Sequence, residues 1–123
     1  MGQVLHLRGE RLLSGGVRTP RVYLVPRGDV LVIGASEEEV GEHAAPLAGI
    51  TMDLLYEAWR PLPGVYALEL AEMRVGHRPS SRAGRPLVEG LGDGLFVAAG
   101  HHRHGVLLAA WTADRMADLV AEG

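Results

Sequence analysis

The stretch LFVAAGHHRHGVLLAAWTADRMADLV, residues 95–120, carries three structural elements in succession. Residues 95–99 are continuously apolar, which predicts a buried strand. A basic loop between Gly100 and Gly105 follows, and apolar residues at helical spacing then predict an amphipathic helix over residues 105–122. Where a strand runs through a loop into a helix, backbone N–H groups are left without partners. We therefore expect a binding site for a phosphate, a carboxylate or the electron-rich edge of a flavin.

Length and composition indicate a small globular protein and exclude several classes of function. The chain has 123 residues, 47% hydrophobic and 22% charged, which suits one folded domain rather than a disordered chain. A net charge of −3 argues against nucleic acid as the main partner, because phosphate backbones are bound by basic surfaces. The absence of cysteine excludes disulfides. No signal peptide or membrane-spanning run is visible, so we expect a cytoplasmic protein without membrane contact.

The first third of the chain is typical of antiparallel strands. Residues 3–8, 21–25 and 30–33 are rich in strand-forming residues, and residues 26–29, Pro-Arg-Gly-Asp, predict a hairpin turn between the last two. Their order predicts an antiparallel meander. Residues 36–39, Ser-Glu-Glu-Glu, have capping-box spacing, which predicts a single helical turn ending at Gly41.

The central part of the chain predicts a helix followed by a bent strand. Residues 47–59 have apolar residues at helical spacing, with Trp59 expected in the core. Residues 65–75 alternate like a strand, but the apolar positions change from even to odd after Ala71. A strand cannot change faces without an extra residue, so we expect a bulge near Ala71.

These elements predict an α+β fold. We expect a mostly antiparallel sheet of about five strands, with a short strand at residues 87–88, packed against two main helices. All of residues 1–123 are expected to form a single domain.

Three groups of residues occur in an order that resembles a known family. They are residues 21–27 with 32–35, then residues 73–79 ending Gly-His-Arg-Pro, then residues 100–109, Gly-His-His-Arg-His-Gly-Val-Leu-Leu-Ala. Their order and spacing resemble the substrate-binding, C-terminal part of FAD-dependent amine oxidoreductases of the D-amino-acid oxidase superfamily, and in particular the glycine oxidases. The resemblance covers nearly the whole chain.

The resemblance implies a role for several residues. Arg78 would pair with the substrate carboxylate, Arg103 would lie near the substrate, and Tyr23 would be on a strand that faces it. The reaction would be hydride transfer from a small amino acid to FAD. Flavin contacts are implied for Gly76, Gly100, His101, His102, Gly105, Val106 and Leu107.

The sequence also departs from the family pattern. It has no N-terminal βαβ unit with a glycine fingerprint for the FAD pyrophosphate. Ala83, Glu89 and Ala110 stand where the family usually has Asp, Gly and Pro. We therefore expect a standalone fragment, cut out and resurfaced by engineering or evolution, that is inactive alone and holds no bound cofactor. Uncovered sheet edges and an apolar face would favour a homodimer.

Two alternatives remain open from sequence. The chain could be a subunit of an amino-acid oxidase whose FAD-binding part is a separate chain. It could instead hold a metal or small ligand through histidines, since neutral imidazole binds zinc, copper and nickel. The candidate histidines are His43, His77, His101, His102 and His104.

Overall fold

A computed structural model describes residues 1–39, 41 and 45–123. The chain divides into two compact units, Met1–His77 and Arg78–Gly123. The single-domain organisation expected from sequence stays a prediction. The described elements of the first unit are β1 (Gly2–Arg8), β2 (Val17–Arg18), β3 (Tyr23–Arg27), β4 (Val30–Gly34), α1 (Ala48–Trp59) and β5 (Glu69–Gly76). Those of the second unit are β6 (Leu87–Gly92), β7 (Leu95–Ala99) and α2 (Ala109–Glu122). No helix in these ranges is long and apolar enough to cross a membrane.

The strands of the first unit form an antiparallel sheet in the order β2-β3-β4-β1-β5. The predicted α+β fold with a five-stranded antiparallel sheet and two helices is confirmed. The predicted hairpin is also confirmed, because β3 and β4 pair across a turn at Gly28, whose φ is +62°. The meander is wrong, since β1 pairs with β4 and not with β3. Residues 9–22, which include β2, separate β1 from β3 and let β1 lie on the far side of β4. The periodicity of a strand does not indicate which strands are its neighbours.

The core of the first unit lies between one face of this sheet and α1. Leu5, Leu24 and Ile33 from the sheet are fully buried, as is Ala58 from α1. The predicted helix is present, but Trp59 is 44% exposed, so its expected place in the core is wrong. Trp59 follows Ala58 directly and is therefore turned about 100° around the helix from the buried stripe.

Strand β5 has the bulge that its sequence predicts. His6 pairs with Glu72 and Leu7 pairs with Leu70, which leaves Ala71 as the extra residue. The strand begins at Glu69 rather than at residue 65, because a 3₁₀ turn over Pro63–Ala67 precedes it. The bulge lets both Leu70 and Met73 lie on the face that α1 covers.

The segment after β4 does not form the expected helical turn in residues 36–39. The Ser36 N–H instead donates to the Gln3 carbonyl at 3.1 Å, and the Gln3 N–H donates to the Ser36 hydroxyl at 2.8 Å. Backbone pairing with β1 therefore prevails over the local capping pattern. Residue 40, which also belongs to the predicted turn, lies outside the described residues.

The second unit consists of a hairpin and a helix. Strands β6 and β7 pair antiparallel, with Leu87 opposite Ala99, and α2 packs against them. The expectation of a buried strand over residues 95–99 is wrong, because every residue of β7 is partly or largely exposed and Leu95 is 60% exposed. A strand is buried only where other parts of the protein pack against it, and a run of apolar residues does not show whether they do.

The final helix begins later than the sequence predicts. Residues His102–His104 form a 3₁₀ turn, and α2 starts at Ala109 rather than at residue 105. Residues 105–108 form hydrogen-bonded turns instead, in which the Leu108 N–H donates to the His104 carbonyl at 2.9 Å and the Ala109 N–H donates to the Val106 carbonyl at 3.3 Å.

Candidate functional site

Two loops of the second unit are joined through their backbones. We name them the arginine loop, residues 78–86, and the histidine loop, residues 100–105. The His102 N–H donates to the Pro79 carbonyl at 2.8 Å, and Ser80 forms an antiparallel bridge with His101. The motif containing Arg78 and the motif containing Arg103 are therefore neighbours in the fold.

A glycine allows this close approach. Gly100 is buried and has φ +77°. A Cβ at this position would lie 3.1 Å from the Ser81 Cβ and 3.3 Å from the Ser81 nitrogen. Any other residue would meet both a strained backbone and the arginine loop. This packing gives a physical reason for the first glycine of the histidine motif.

The arginine loop is closed by its own hydrogen bonds. The Ser81 hydroxyl donates to the Arg85 carbonyl at 2.5 Å and accepts from the Arg85 N–H at 3.2 Å. The Gly84 N–H donates to the Ser81 carbonyl at 3.1 Å. Ser81 thus fixes the shape of the loop that begins with Arg78.

The histidine loop is anchored on α2. Nε2 of His101 lies 2.8 Å from Oγ1 of Thr112. The His104 N–H donates to the His101 carbonyl, and the Leu108 N–H donates to the His104 carbonyl, each at 2.9 Å. The loop is thus held from both sides, by the arginine loop and by α2.

The surface beside these loops is basic and apolar. Residues 100–108 contain three histidines and Arg103 but no carboxylate. Val106 is 95% exposed and Leu107 is 78% exposed, which is unusual for apolar side chains next to a structured loop. Such a surface suits an electron-rich ligand with an apolar body.

Two of the candidate residues lie in the first unit. Tyr23 is half-buried at the start of β3, where it pairs with Gly34, and Gly76 ends β5, where it pairs with Gly2. Because β1 and β4 are antiparallel, the end of β4 and the start of β1 are at the same end of the sheet. Tyr23 and Gly76 therefore lie toward one end of the sheet.

The ring of Tyr23 rests against the backbone of β4. A Cβ built on Gly34 would overlap the Tyr23 hydroxyl and lie 2.8 Å from Cε2. The lack of a side chain at Gly34 thus leaves room for the Tyr23 ring. In the sequence, Gly34 was noted only as one residue of the motif at 32–35.

Sequence reasoning missed two further residues that shape the loops, Ser81 and Thr112. Neither stands in a recognisable motif.

The described residues contain no group of three or more His, Cys, Asp or Glu side chains that could hold a metal ion. His43, one of the candidate ligands, lies outside them. Nε2 of His101, another of the candidate ligands, lies within hydrogen-bond distance of Oγ1 of Thr112.

Comparison with known proteins gives a consistent result. A family model for FAD-dependent oxidoreductases matches residues 1–119. Glycine oxidase from Geobacillus kaustophilus is 38% identical over 104 residues, which are 80% of this chain and 27% of that protein. The bifunctional protein ThiO/ThiG from Synechocystis sp. is 37% identical over 118 residues, 92% of this chain and 17% of that protein.

The fold has the same relatives. The crystal structure of glycine oxidase from Geobacillus kaustophilus superposes with a TM-score of 0.86 at 32% identity, covering 98% of this chain and 34% of that one. Glycine oxidase from Bacillus cereus gives a TM-score of 0.87 at 29% identity, with coverage of 98% and 35%. The chain therefore spans about a third or less of each of these relatives.

Proposed function

The chain belongs to the FAD-dependent oxidoreductase family, and from this membership we propose that it forms the part of an amino-acid oxidase that binds the substrate carboxylate beside the flavin edge. The observation that carries the proposal is the pairing of the two loops, in which the His102 N–H reaches the Pro79 carbonyl at 2.8 Å. That pairing brings together the two motifs whose residues would contact substrate and flavin.

Arg78 would bind the carboxylate of a small amino acid. A guanidinium presents two parallel N–H donors to the two carboxylate oxygens, which fixes the substrate in orientation as well as in position. Arg103, on the adjoining loop, would add positive charge near the same carboxylate.

The residues of the histidine loop fit the pyrimidine edge of FAD. This edge gains negative charge on reduction, and residues 100–108 present basic side chains, backbone turns and no carboxylate. When bound, FAD would supply the chemistry by accepting hydride from the amino acid. The protein would orient the substrate and shield the site from water, with Val106 and Leu107 as apolar cover. Within the second unit, the flavin contacts would come from Gly100, His101, His102, Gly105, Val106 and Leu107.

The pyrophosphate of FAD would need a binding site outside residues 1–123. Residues 1–123 contain no G-x-G-x-x-G fingerprint. In dinucleotide-binding proteins the backbone N–H groups of this glycine-rich turn bind the pyrophosphate. We therefore propose that these residues by themselves bind FAD weakly and do not oxidise amino acids. They would act with a dinucleotide-binding unit.

A flavin-binding assay tests this proposal. The purified chain is mixed with FAD, separated from free flavin by gel filtration and then given glycine and oxygen. We expect no co-eluting flavin absorbance and no hydrogen peroxide. Stoichiometric flavin binding together with peroxide release would show that the chain is a complete oxidase, against the proposal.

A further inference from the structure

Strand β5 forms an open edge of the five-stranded sheet. Its one neighbour among the described strands is β1, and seven of its eight residues are exposed. It carries a bulge at Ala71 and the charged residues Glu69, Glu72 and Arg74, features that restrict edge pairing, so a second strand can pair with it only where these charges meet opposite charges. Leu70 and Met73 are both more than 40% exposed on it. A strand of this kind is a template for another strand.

We propose that two copies of this chain associate by antiparallel pairing of β5 with β5, about a two-fold axis at Met73. In that register Met73 faces its own copy and Ala71 faces Val75 of the second copy. Glu72 faces Arg74 of the second copy, and Arg74 faces Glu72. Opposite charges directly across an antiparallel pair stabilise it, and two-fold symmetry makes the charge pair occur twice. This inference stands independently of the proposed function.

The neighbouring registers are less favourable. A shift of the axis by one residue places Glu72 opposite Glu72, or Arg74 opposite Arg74, and like charges across strands are destabilising. A two-fold axis midway between two residues would place residues that point to opposite faces of the sheet directly across from each other. The apolar side chains of the two copies would then no longer lie on one face. Only the register centred on Met73 keeps both the charge pairs and the faces.

The two faces of β5 support the same arrangement. Met73 pairs with Leu5 and lies on the α1 side of the sheet, where its sulfur is 3.5 Å from Oγ1 of Thr51. A two-fold axis perpendicular to the sheet keeps α1 of both copies on that side. The exposed Met73 side chains would then cover each other, and the sheet would continue across the interface.

The charged face is already arranged for this contact. Nε of Arg74 is 2.8 Å from Oε1 of Glu72, and Oε2 of Glu72 is 3.4 Å from Nδ1 of His6. The Arg74 guanidinium has five N–H donors, so it can bind Glu72 of its own chain and of the second copy together. Two glutamates and two arginines would alternate across the two-fold axis.

Charge reversal tests the register. Sedimentation equilibrium of the wild-type chain should show a concentration-dependent dimer. Glu72→Arg and Arg74→Glu each place like charges across both pairs and should weaken self-association by at least about tenfold. When the two variants are mixed, every arginine of one faces a glutamate of the other. The mixture should therefore form a heterodimer at concentrations where each variant alone associates only weakly.

Matched controls separate this effect from unfolding. Glu57→Arg and Arg60→Glu reverse the charges of another ion pair, on and just after α1, with nitrogen and oxygen 3.7 Å apart, and should leave dimerisation unchanged. Circular dichroism should show native secondary structure for all four variants. A wild-type chain that stays monomeric at high concentration overturns the proposal, as does a variant mixture that fails to associate. Protection of the β5 amides only when a dinucleotide-binding polypeptide is added would assign the edge to that partner and also overturn it.

Discussion

The hydroxyl oxygen of Thr112 lies 2.8 Å from Nε2 of His101, and this contact joins the histidine loop to α2. His101 precedes His102, whose N–H reaches the arginine loop. One threonine therefore helps to orient the pair of loops to which we assign substrate and flavin binding. Its position on a regular helix gives the loop a rigid support.

Removal of the Thr112 hydroxyl should loosen the histidine loop. Thr112→Val keeps the shape of the side chain but leaves the His101 ring without its partner, at a cost of about 1 kcal/mol. Amides in residues 100–105 should exchange hydrogen faster, and the ¹⁵N shifts of the His101 ring should change. Thr112→Ser restores the hydroxyl and should behave like the wild type. Equal exchange rates in all three proteins would show that the contact does not hold the loop.

Gly34→Ala should destabilise the first unit by displacing Tyr23. The new Cβ would overlap the tyrosine ring, and such overpacking costs about 1–3 kcal/mol. Urea unfolding measures the change in the free energy of unfolding. Gly49→Ala is the matched control, because a Cβ on Gly49 meets nothing within 4 Å and alanine favours the helix. An equally stable Gly34→Ala protein would contradict this description of Tyr23.

Gln3→Met should weaken the attachment of α1 to the sheet. Gln3 is fully buried, its Oε1 accepts the Leu47 N–H at 2.9 Å, and its Nε2 donates to Oγ1 of Thr51 at 2.5 Å. Leu47 precedes α1 and has no side-chain cap of its own, so Gln3 on β1 caps the helix from the sheet. Methionine fills the space but leaves a buried donor unpaired, at a cost of about 1–3 kcal/mol. Urea unfolding that is unchanged in this variant would refute the capping role.

The Glu72–Arg74 pair should make stability depend on pH in the acid range. Hydrogen bonding from Arg74, aided by the charges of Arg74 and His6, lowers the pKa of Glu72 below its ordinary value of 4.5. A carboxyl whose pKa is lower in the folded state contributes stability above its unfolded pKa and loses it as the pH falls through the folded pKa. The stability advantage of the wild type over Arg74→Gln should therefore be full near neutral pH.

That advantage should disappear as Glu72 becomes protonated. Urea unfolding of both proteins across the acid range, at a concentration where both are monomeric, measures it. A carboxyl NMR titration should give Glu72 a higher midpoint in Arg74→Gln than in the wild type. An advantage that persists at the acid end would argue for an effect of Arg74 other than this ion pair.

The comparison of sequence and structure separates local from nonlocal information. The change of parity at Ala71 predicted the β5 bulge because a strand's periodicity records which face each residue occupies. The same periodicity does not indicate which strand pairs with β1. The start of α2 was missed because residues 105–108 continue the apolar helical spacing but form turns before the helix begins at Ala109.

Burial was the other property that the sequence did not determine. Leu95 and Trp59 are apolar at positions that a strand and a helix would bury, yet both are largely exposed. Exposure is set by the neighbouring surface. The arginine and histidine motifs were recognisable as motifs, but their adjacency became evident only from the backbone bonds between the loops.

The most direct test of the proposed role of Arg78 is a chimera. Residues 1–119, which match the family model, would replace the corresponding segment of the Geobacillus kaustophilus glycine oxidase. We predict a flavin-loaded chimera that releases peroxide from glycine, with the KM for glycine raised at least about tenfold by Arg78→Lys, because lysine cannot form the bidentate pair. Arg82→Lys, on the same loop, should leave the KM unchanged. A flavin-loaded, active chimera whose KM for glycine is the same with Arg78→Lys would contradict carboxylate binding by Arg78.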